Sequence, residues 1–178
     1  MSILTILSAW IADGTLSVIH REVERTAPAR CVVACQEAQR ALTGPWRSAV
    51  EEDRYRSVKA TIDSFIDGDV IAVRVPPSKS AKAQLALLEP PNAAVWEFRT
   101  RPERKKGAHR YGVRIFGMFV KRDIFIAMSG VFKEDLLDKS EYVEEIAFCV
   151  QRWRSLFASY NPNQGTSADV YLSNWIPS

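Results

Sequence analysis

The sequence is poor in the residues and motifs on which metal and nucleotide chemistry depend. Its 178 residues include only three cysteines and two histidines, and such a small, dispersed set favours neither a disulfide framework nor a zinc cluster. It also contains no glycine-rich phosphate loop, no His-Glu-x-x-His segment and no Gly-x-Ser-x-Gly nucleophile motif. We therefore expect no metal site and no cofactor.

A run of apolar residues long enough to cross a membrane is also missing. The best candidate, residues 1–11, is apolar but is ended by Asp13, whereas a membrane helix needs about 20 residues. It also lacks the basic start of a signal peptide. We expect a cytoplasmic protein with no membrane segment, in which residues 1–11 form a helix packed on the body of the protein.

Positive charge is concentrated in one segment. Residues 99–122 hold nine of the 24 lysines and arginines and a single acid, whereas the rest of the chain holds 15 basic and 20 acidic residues. The formal net charge of +3 hides this asymmetry. A basic segment on a mildly acidic body favours a polyanionic partner over a small apolar ligand. The alternative is a solvated loop whose charges only maintain solubility.

Hydrophobic periodicity and turn residues predict helices and strands in mixed order. Helices are expected at residues 26–42, 46–66, 79–88 and 141–157, and strands at residues 70–75, 94–98, 113–120 and 123–130, with 14–19 as a further short strand. The tail, residues 160–178, is expected to be irregular but docked. Cys31 and Cys35 would share one helical face as buried thiols, although their spacing also suits two metal ligands.

This order predicts an α+β protein with a small antiparallel sheet of about four strands, covered by a C-terminal helix. Residues 1–66 would form a helical N-terminal extension, and residues 67–178 an α+β domain with a docked C-terminal tail. Side chains alternate along a strand, so Arg114 points away from Val113 and Ile115. We expect those two residues in the core and Arg114 on an open face of the sheet.

The middle of the basic segment is predicted to be a hairpin loop, because Pro102 and Gly107 interrupt it and its first half is polar throughout. Such loops often carry functional side chains. Candidate nucleic-acid contacts are Arg101, Arg104, Lys105, Lys106, Arg110, Lys121 and Arg122.

The base of this hairpin would bring together Arg99 and Arg114, and the end of the next strand would add Lys133. Three cations at strand ends could then share one groove. For the two arginines, the alternative is an ion pair with Glu97, Glu134 or Asp135 across the sheet.

Three short motifs, followed by an amphipathic helix, resemble the RelE/HigB/ParE toxin superfamily, particularly its phage-derived HigB-like branch. They are Val95-Trp96-Glu97-Phe98-Arg99, Gly112-Val113-Arg114-Ile115-Phe116 and Ser129-Gly130-Val131-Phe132-Lys133-Glu134. The resemblance covers about residues 69–157. It implies a RelE-like α+β domain and a metal-independent endoribonuclease that cuts mRNA on the ribosome and is neutralised by a protein antitoxin.

Cleavage by a ribose 2′-hydroxyl needs proton transfer and stabilisation of the charge on phosphorus. Arg99 and Arg114 are the candidate charge stabilisers, because a guanidinium matches phosphate oxygens and stays protonated. Lys133, Lys121, His109 or Tyr111 could transfer protons.

Two non-catalytic alternatives remain. The first is a module of phage or plasmid origin that binds nucleic acid or protein through the same scaffold. The second is an interaction protein that uses its N-terminal helices and apolar tail, with Trp10, Trp46 and Trp175 as anchors.

Overall fold

A computed structural model of the protein describes residues 2–21, 29–76, 82–100, 112–136 and 138–178. Within these ranges the chain forms four α-helices and eight β-strands. The helices are α1 (Ile3–Ala12), α2 (Gln36–Thr43), α3 (Ala49–Asp67) and α4 (Lys139–Leu156). The strands are β1 (Ser17–Val18), β2 (Cys31–Ala34), β3 (Ile71–Arg74), β4 (Leu85–Leu87), β5 (Val95–Arg99), β6 (Val113–Lys121), β7 (Ile124–Phe132) and β8 (Trp175–Pro177).

These strands join one mixed sheet in the order β1-β2-β7-β6-β5-β4-β3-β8. Its centre, from β4 through β7, is antiparallel, whereas β2 runs parallel to β7, and β3 runs parallel to both β4 and β8. The predicted sheet of about four antiparallel strands is therefore wrong, although the fold is α+β. Residues 1–66, expected to be helical apart from a short strand at 14–19, contribute two strands that extend the sheet beyond β7: β1, which lies within that stretch, and β2, which lies in a stretch expected to be helical.

The longer elements lie close to their predicted positions. Helices α1, α3 and α4 and strands β3, β5, β6 and β7 all correspond to stretches with clear periodicity or β-branched runs. A tight hairpin joins β6 to β7, with Lys121 paired to Ile124 across the turn. The tail is docked as expected, and its end adds β8 to the edge of the sheet.

Two predicted helices are wrong in whole or in part. The stretch 26–42 contains β2 before α2, and the stretch 79–88 contains β4, while residues 79–81 lie outside the described residues. Both strands are short and largely buried, and a short apolar run has no period that separates a strand from a helix. Cys31 and Cys35 share a face of the sheet instead of a helix, and burial raises the pKa of both thiols.

Helices cover both faces of the sheet. On one face, α2 and α3 pack against Val113, Ile115 and Phe119, and on the other α1 and α4 pack against Phe116 and Met118. Because side chains alternate along β6, Arg114 lies on the α4 face. The expectation that it points to an open side is therefore wrong. In the described part of the chain, no helix is both long and apolar enough to span a membrane.

Arg30 connects three distant parts of the chain beneath the β6–β7 turn. Its side chain is fully buried, and Nε donates to Asp123 Oδ1 at 3.1 Å. Its other nitrogens donate to the carbonyl oxygens of Phe65, Asp69 and Asn174 at 3.3, 3.0 and 2.6 Å. A buried guanidinium needs such a set of acceptors to offset its loss of water. This one arginine therefore holds the end of α3, the turn and the tail together.

A capping box fixes the start of α4. The Asp138 carboxylate accepts hydrogen bonds from the backbone N–H groups of Ser140 and Glu141, and the Glu141 carboxylate accepts from the N–H of Asp138 at 3.1 Å. Such reciprocal bonds satisfy free N–H groups of the first turn. They set the point at which the first turn of α4, including Tyr142, reaches the sheet.

Replacing Arg30 with methionine should lower the free energy of unfolding by about 3–5 kcal/mol, because Asp123 and three carbonyl groups would lose a buried partner. Arg56→Met is the matched control, since the ion pair between Arg56 and Glu52 is exposed, and it should cost less than about 1 kcal/mol. Urea unfolding followed by circular dichroism measures both values. Equal losses in the two variants would contradict the role given to Arg30.

Candidate functional site

Strands β5 and β6 bring the two predicted arginines side by side. Arg99 and Arg114 are register partners, and Glu97 lies on the same face of β5, two residues before Arg99. Directly paired residues on antiparallel strands have Cα atoms about 5 Å apart. The sequence prediction that these two arginines meet at the base of the basic segment is therefore confirmed.

Both guanidinium groups contact one buried carboxylate. Glu97 is fully buried, and its Oε1 accepts a hydrogen bond from Arg99 Nε at 2.6 Å and another from Arg99 Nη2. Arg114 Nε lies 3.3 Å from Glu97 Oε2, and Arg114 Nη1 donates to the carbonyl oxygen of Val113 at 3.0 Å. The ion pair with Glu97 considered from the sequence is thus present. Glu134 pairs instead with Arg54.

A third arginine, Arg74, approaches the same group from β3. In register, Ala86 of β4 lies between Arg74 and Glu97, and its small side chain leaves room above the sheet. Arg74 makes no hydrogen bond or ion pair with the described residues, and its Nε is buried without an acceptor. Burial lowers the pKa of Arg74, and the positive charge of Arg99 lowers it further.

Tyr142 and Lys133 border the arginines on the α4 side. Burial raises the pKa of the Tyr142 phenol, and the Glu97 carboxylate acts in the same direction, whereas Arg114 and Arg99 act against it. The phenol therefore stays protonated at neutral pH. Lys133 Nζ lies 5.3 Å from the centre of the Tyr142 ring and donates to the carbonyl oxygen of Leu136 at 2.8 Å.

These residues form a site with excess positive charge, which we call the arginine cluster: Arg74, Arg99, Arg114, Lys133, Glu97 and Tyr142. Among the described residues, Arg99 and Arg114 contact the buried carboxylate of Glu97, Arg74 interacts with it electrostatically, and Lys133 lies against Tyr142. The other acid that acts on Arg74, Glu89, is exposed. Guanidinium groups bind carboxylates and phosphates through paired N–H donors. The arrangement can therefore accept an anion.

The segment 101–111 begins and ends beside the arginine cluster. Thr100 and Gly112 flank it, and a Cβ placed on Gly112 would lie 2.0 Å from Thr100 Oγ1. The backbone N–H of Val113 also donates to Thr100 Oγ1 at 3.2 Å. Strands β5 and β6 are thus tightly paired on either side of the segment 101–111. The predicted residues Arg101, Arg104, Lys105, Lys106, His109, Arg110 and Tyr111 lie outside the described residues.

Lys121 and Arg122 do not join the cluster. Both are exposed at the β6–β7 turn, seven residues along β6 from Arg114 in the case of Lys121. At about 3.3 Å per residue, this separation is about 23 Å. The structure therefore brings together Arg99, Arg114 and Lys133 and separates them from the two cations at the turn.

Sequence reasoning missed two members of the cluster and gave a third only a minor role. The sequence predicts Arg74 only as part of strand 70–75, Tyr142 only as part of helix 141–157, and Glu97 only as an ion-pair partner. Glu97 did carry a usable signal, since it is the sole acid in an otherwise apolar strand sequence. Arg74 and Tyr142 carried none, because their approach to Arg99 and Arg114 depends on strand order and helix placement.

Among the described residues, no group of three or more histidine, cysteine, aspartate or glutamate side chains is arranged to hold a metal ion. Comparison with known proteins does not assign a family or a function to this site. No protein-family model, no curated protein and no solved structure matches the chain.

Proposed function

We propose that the protein binds RNA, with the arginine cluster and the basic residues of segment 101–111 in contact with phosphate groups. The observation that carries the proposal is the charge imbalance of the cluster, in which three arginines and, beside Tyr142, one lysine are described with one buried carboxylate. A partly buried excess of positive charge is stabilised by an anion, and electrostatic interactions are stronger there than in bulk water.

The adjoining segment supports a polymeric anion over a small one. Residues 101–111 contain five lysines and arginines and one acid. The residues that flank this segment, Thr100 and Gly112, lie beside Arg99 and Arg114. A chain of phosphates could therefore contact both the cluster and the segment. Sequence-independent contacts of this kind dominate nucleic-acid affinity and weaken as the salt concentration rises.

RNA cleavage without metal is a second candidate function, and the interaction of the Tyr142 phenol with the Arg114 guanidinium favours it. The ribose 2′-oxygen would attack the adjacent phosphorus, and the bond to the 5′-oxygen would break. Arg99 and Arg114 would stabilise the added charge on the phosphate oxygens. Tyr142, which stays protonated because burial raises the pKa of its phenol, could donate the proton to the leaving 5′-oxygen. His109 is the candidate base for the 2′-hydroxyl, and the resemblance to ribosome-dependent toxins would add a ribosome and a protein antitoxin as partners.

Removing charge from the basic segment should weaken RNA binding and its dependence on salt. In a variant with Arg101, Arg104, Lys105 and Lys106 changed to glutamine, the plot of log affinity against log salt concentration should become shallower by up to about 3, at about 0.7 per lost contact. Fluorescence anisotropy with a labelled single-stranded RNA measures the slope.

The matched control for that variant removes the same charge elsewhere. Four exposed arginines outside the site are changed to glutamine: Arg40, Arg47, Arg56 and Arg154. This control should keep most of the wild-type slope, since it removes no proposed phosphate contact. Equal losses in the two variants would mean that net charge, not the basic segment, governs binding.

Cleavage is tested with Arg114→Lys, which keeps a positive charge beside the buried Glu97 but removes the paired donors of the guanidinium. If the protein is a nuclease, wild type should cut RNA in the presence of EDTA and leave 2′,3′-cyclic phosphate ends. The variant should lose about 10²-fold in kcat/KM. Arg40→Lys is the control, because Arg40 is exposed on α2 on the other face of the sheet. Undiminished cleavage by Arg114→Lys would remove Arg114 from the mechanism.

A further inference from the structure

We infer that the arginine cluster receives the terminal phosphate of an RNA chain, not an internal phosphodiester. This inference rests on the proposed RNA binding and assigns the cluster and the basic segment different parts of the same ligand. It depends on three observations: how deeply the arginines are buried, how much charge they leave uncompensated, and where Arg74 lies.

The cluster is recessed. The side chains of Arg99 and Arg114 are only 14% and 13% exposed, and Glu97 between them is fully buried. Tyr142 and Lys133 add a half-buried border on the α4 side. An internal phosphodiester continues as a chain on two sides and therefore needs an open groove. A terminal phosphate has one ester link and three free oxygens, so it can enter a recess from one direction.

The charge of the three guanidinium groups also matches a terminal phosphate. Glu97 balances one of the three guanidinium groups, which leaves two without a buried counter-charge among the described residues. A phosphomonoester is mostly dianionic above its second pKa of about 6, whereas an internal phosphodiester carries one negative charge. The dianion would compensate both guanidinium groups.

Arg74 provides donors that the fold does not use. It has no hydrogen-bond or ion-pair partner among the described residues, and its Nε is buried. Arg99 directs Nε and Nη2 to Glu97, and Arg114 directs Nη1 to a backbone oxygen while its buried Nε lacks an acceptor. Arg74 is therefore the arginine of the cluster with the most unused donors toward the described residues, and we assign it to the free oxygens of the terminal phosphate.

A competition experiment separates this inference from RNA binding itself. Three unlabelled RNAs of one sequence, with a 5′-phosphate, a 3′-phosphate or hydroxyl groups at both ends, displace an internally labelled RNA from the full-length wild-type protein. At least one phosphorylated RNA should compete about tenfold better than the hydroxyl RNA, as expected for added charge-assisted hydrogen bonds. Equal competition by all three would overturn the inference and leave RNA binding intact. No binding of any RNA would overturn both.

Arg74→Gln tests the assigned residue. It should bring the ratio between phosphorylated and hydroxyl RNA close to one, whereas Arg40→Gln should keep the wild-type ratio. An unchanged ratio in Arg74→Gln would overturn the assignment. If this variant does not fold, the ratio measured on wild type still decides whether a terminal phosphate is recognised.

Two further competitors identify the source of the phosphate. Inorganic phosphate and a nucleoside 5′-monophosphate carry the same dianionic group without a chain. Both should compete much more weakly than the phosphorylated RNA, because they lack the contacts of the basic segment. Competition by the mononucleotide as strong as that by the phosphorylated RNA would show a mononucleotide site and would overturn the assignment to an RNA chain end.

Discussion

The buried carboxylate of Glu97 is the interaction on which the arginine cluster depends. A carboxylate removed from water loses several kcal/mol of solvation, and only close cations and hydrogen bonds offset that loss. Here Arg99, on the same strand, supplies both a positive charge and hydrogen bonds, and Arg114, on the antiparallel neighbour, supplies a second positive charge. The same contacts fix the two guanidinium groups in place before any ligand arrives. Stability of the sheet centre and preorganisation of the site therefore come from one ion-pair group.

The layers of the fold explain why this group is recessed. Helix α3 packs apolar side chains against Ile115 and Phe119, and the charged residues Glu97, Arg99 and Arg114 lie on the opposite, α4 face of the sheet. There, α1 and α4 cover the apolar rows of the sheet, and the first turn of α4 brings Tyr142 to the arginines. Glu97, Arg99 and Arg114 thus lie between the covered apolar core and the point where the basic segment begins.

The sequence predicts the helices and strands that have a clear local pattern. Helices α3 and α4 and strands β5 to β7 have long periodic patterns, and their hairpin pairing places Arg99 beside Arg114. Prediction fails for β2 and β4, which are short and buried and carry no period of their own. The position of Arg74 was equally inaccessible, because it follows from the parallel pairing of β3 with β4. Parallel pairing between segments is set by the whole sheet and has no local turn signal.

Arg74 differs from the other buried arginines in its role. Arg99 and Arg30 donate hydrogen bonds to carboxylates, and Arg114 lies 3.3 Å from Glu97 Oε2 and donates to the Val113 carbonyl oxygen, so these three charges contribute to the fold, although the buried Nε of Arg114 has no acceptor. Arg74 lies near Arg99, which has the same charge, and its buried Nε has no acceptor, so both features oppose folding. A glutamine or an apolar residue at the end of β3 would avoid both costs. Since local conflicts of this kind concentrate at functional sites, the unpartnered arginine is better explained by a ligand than by the fold.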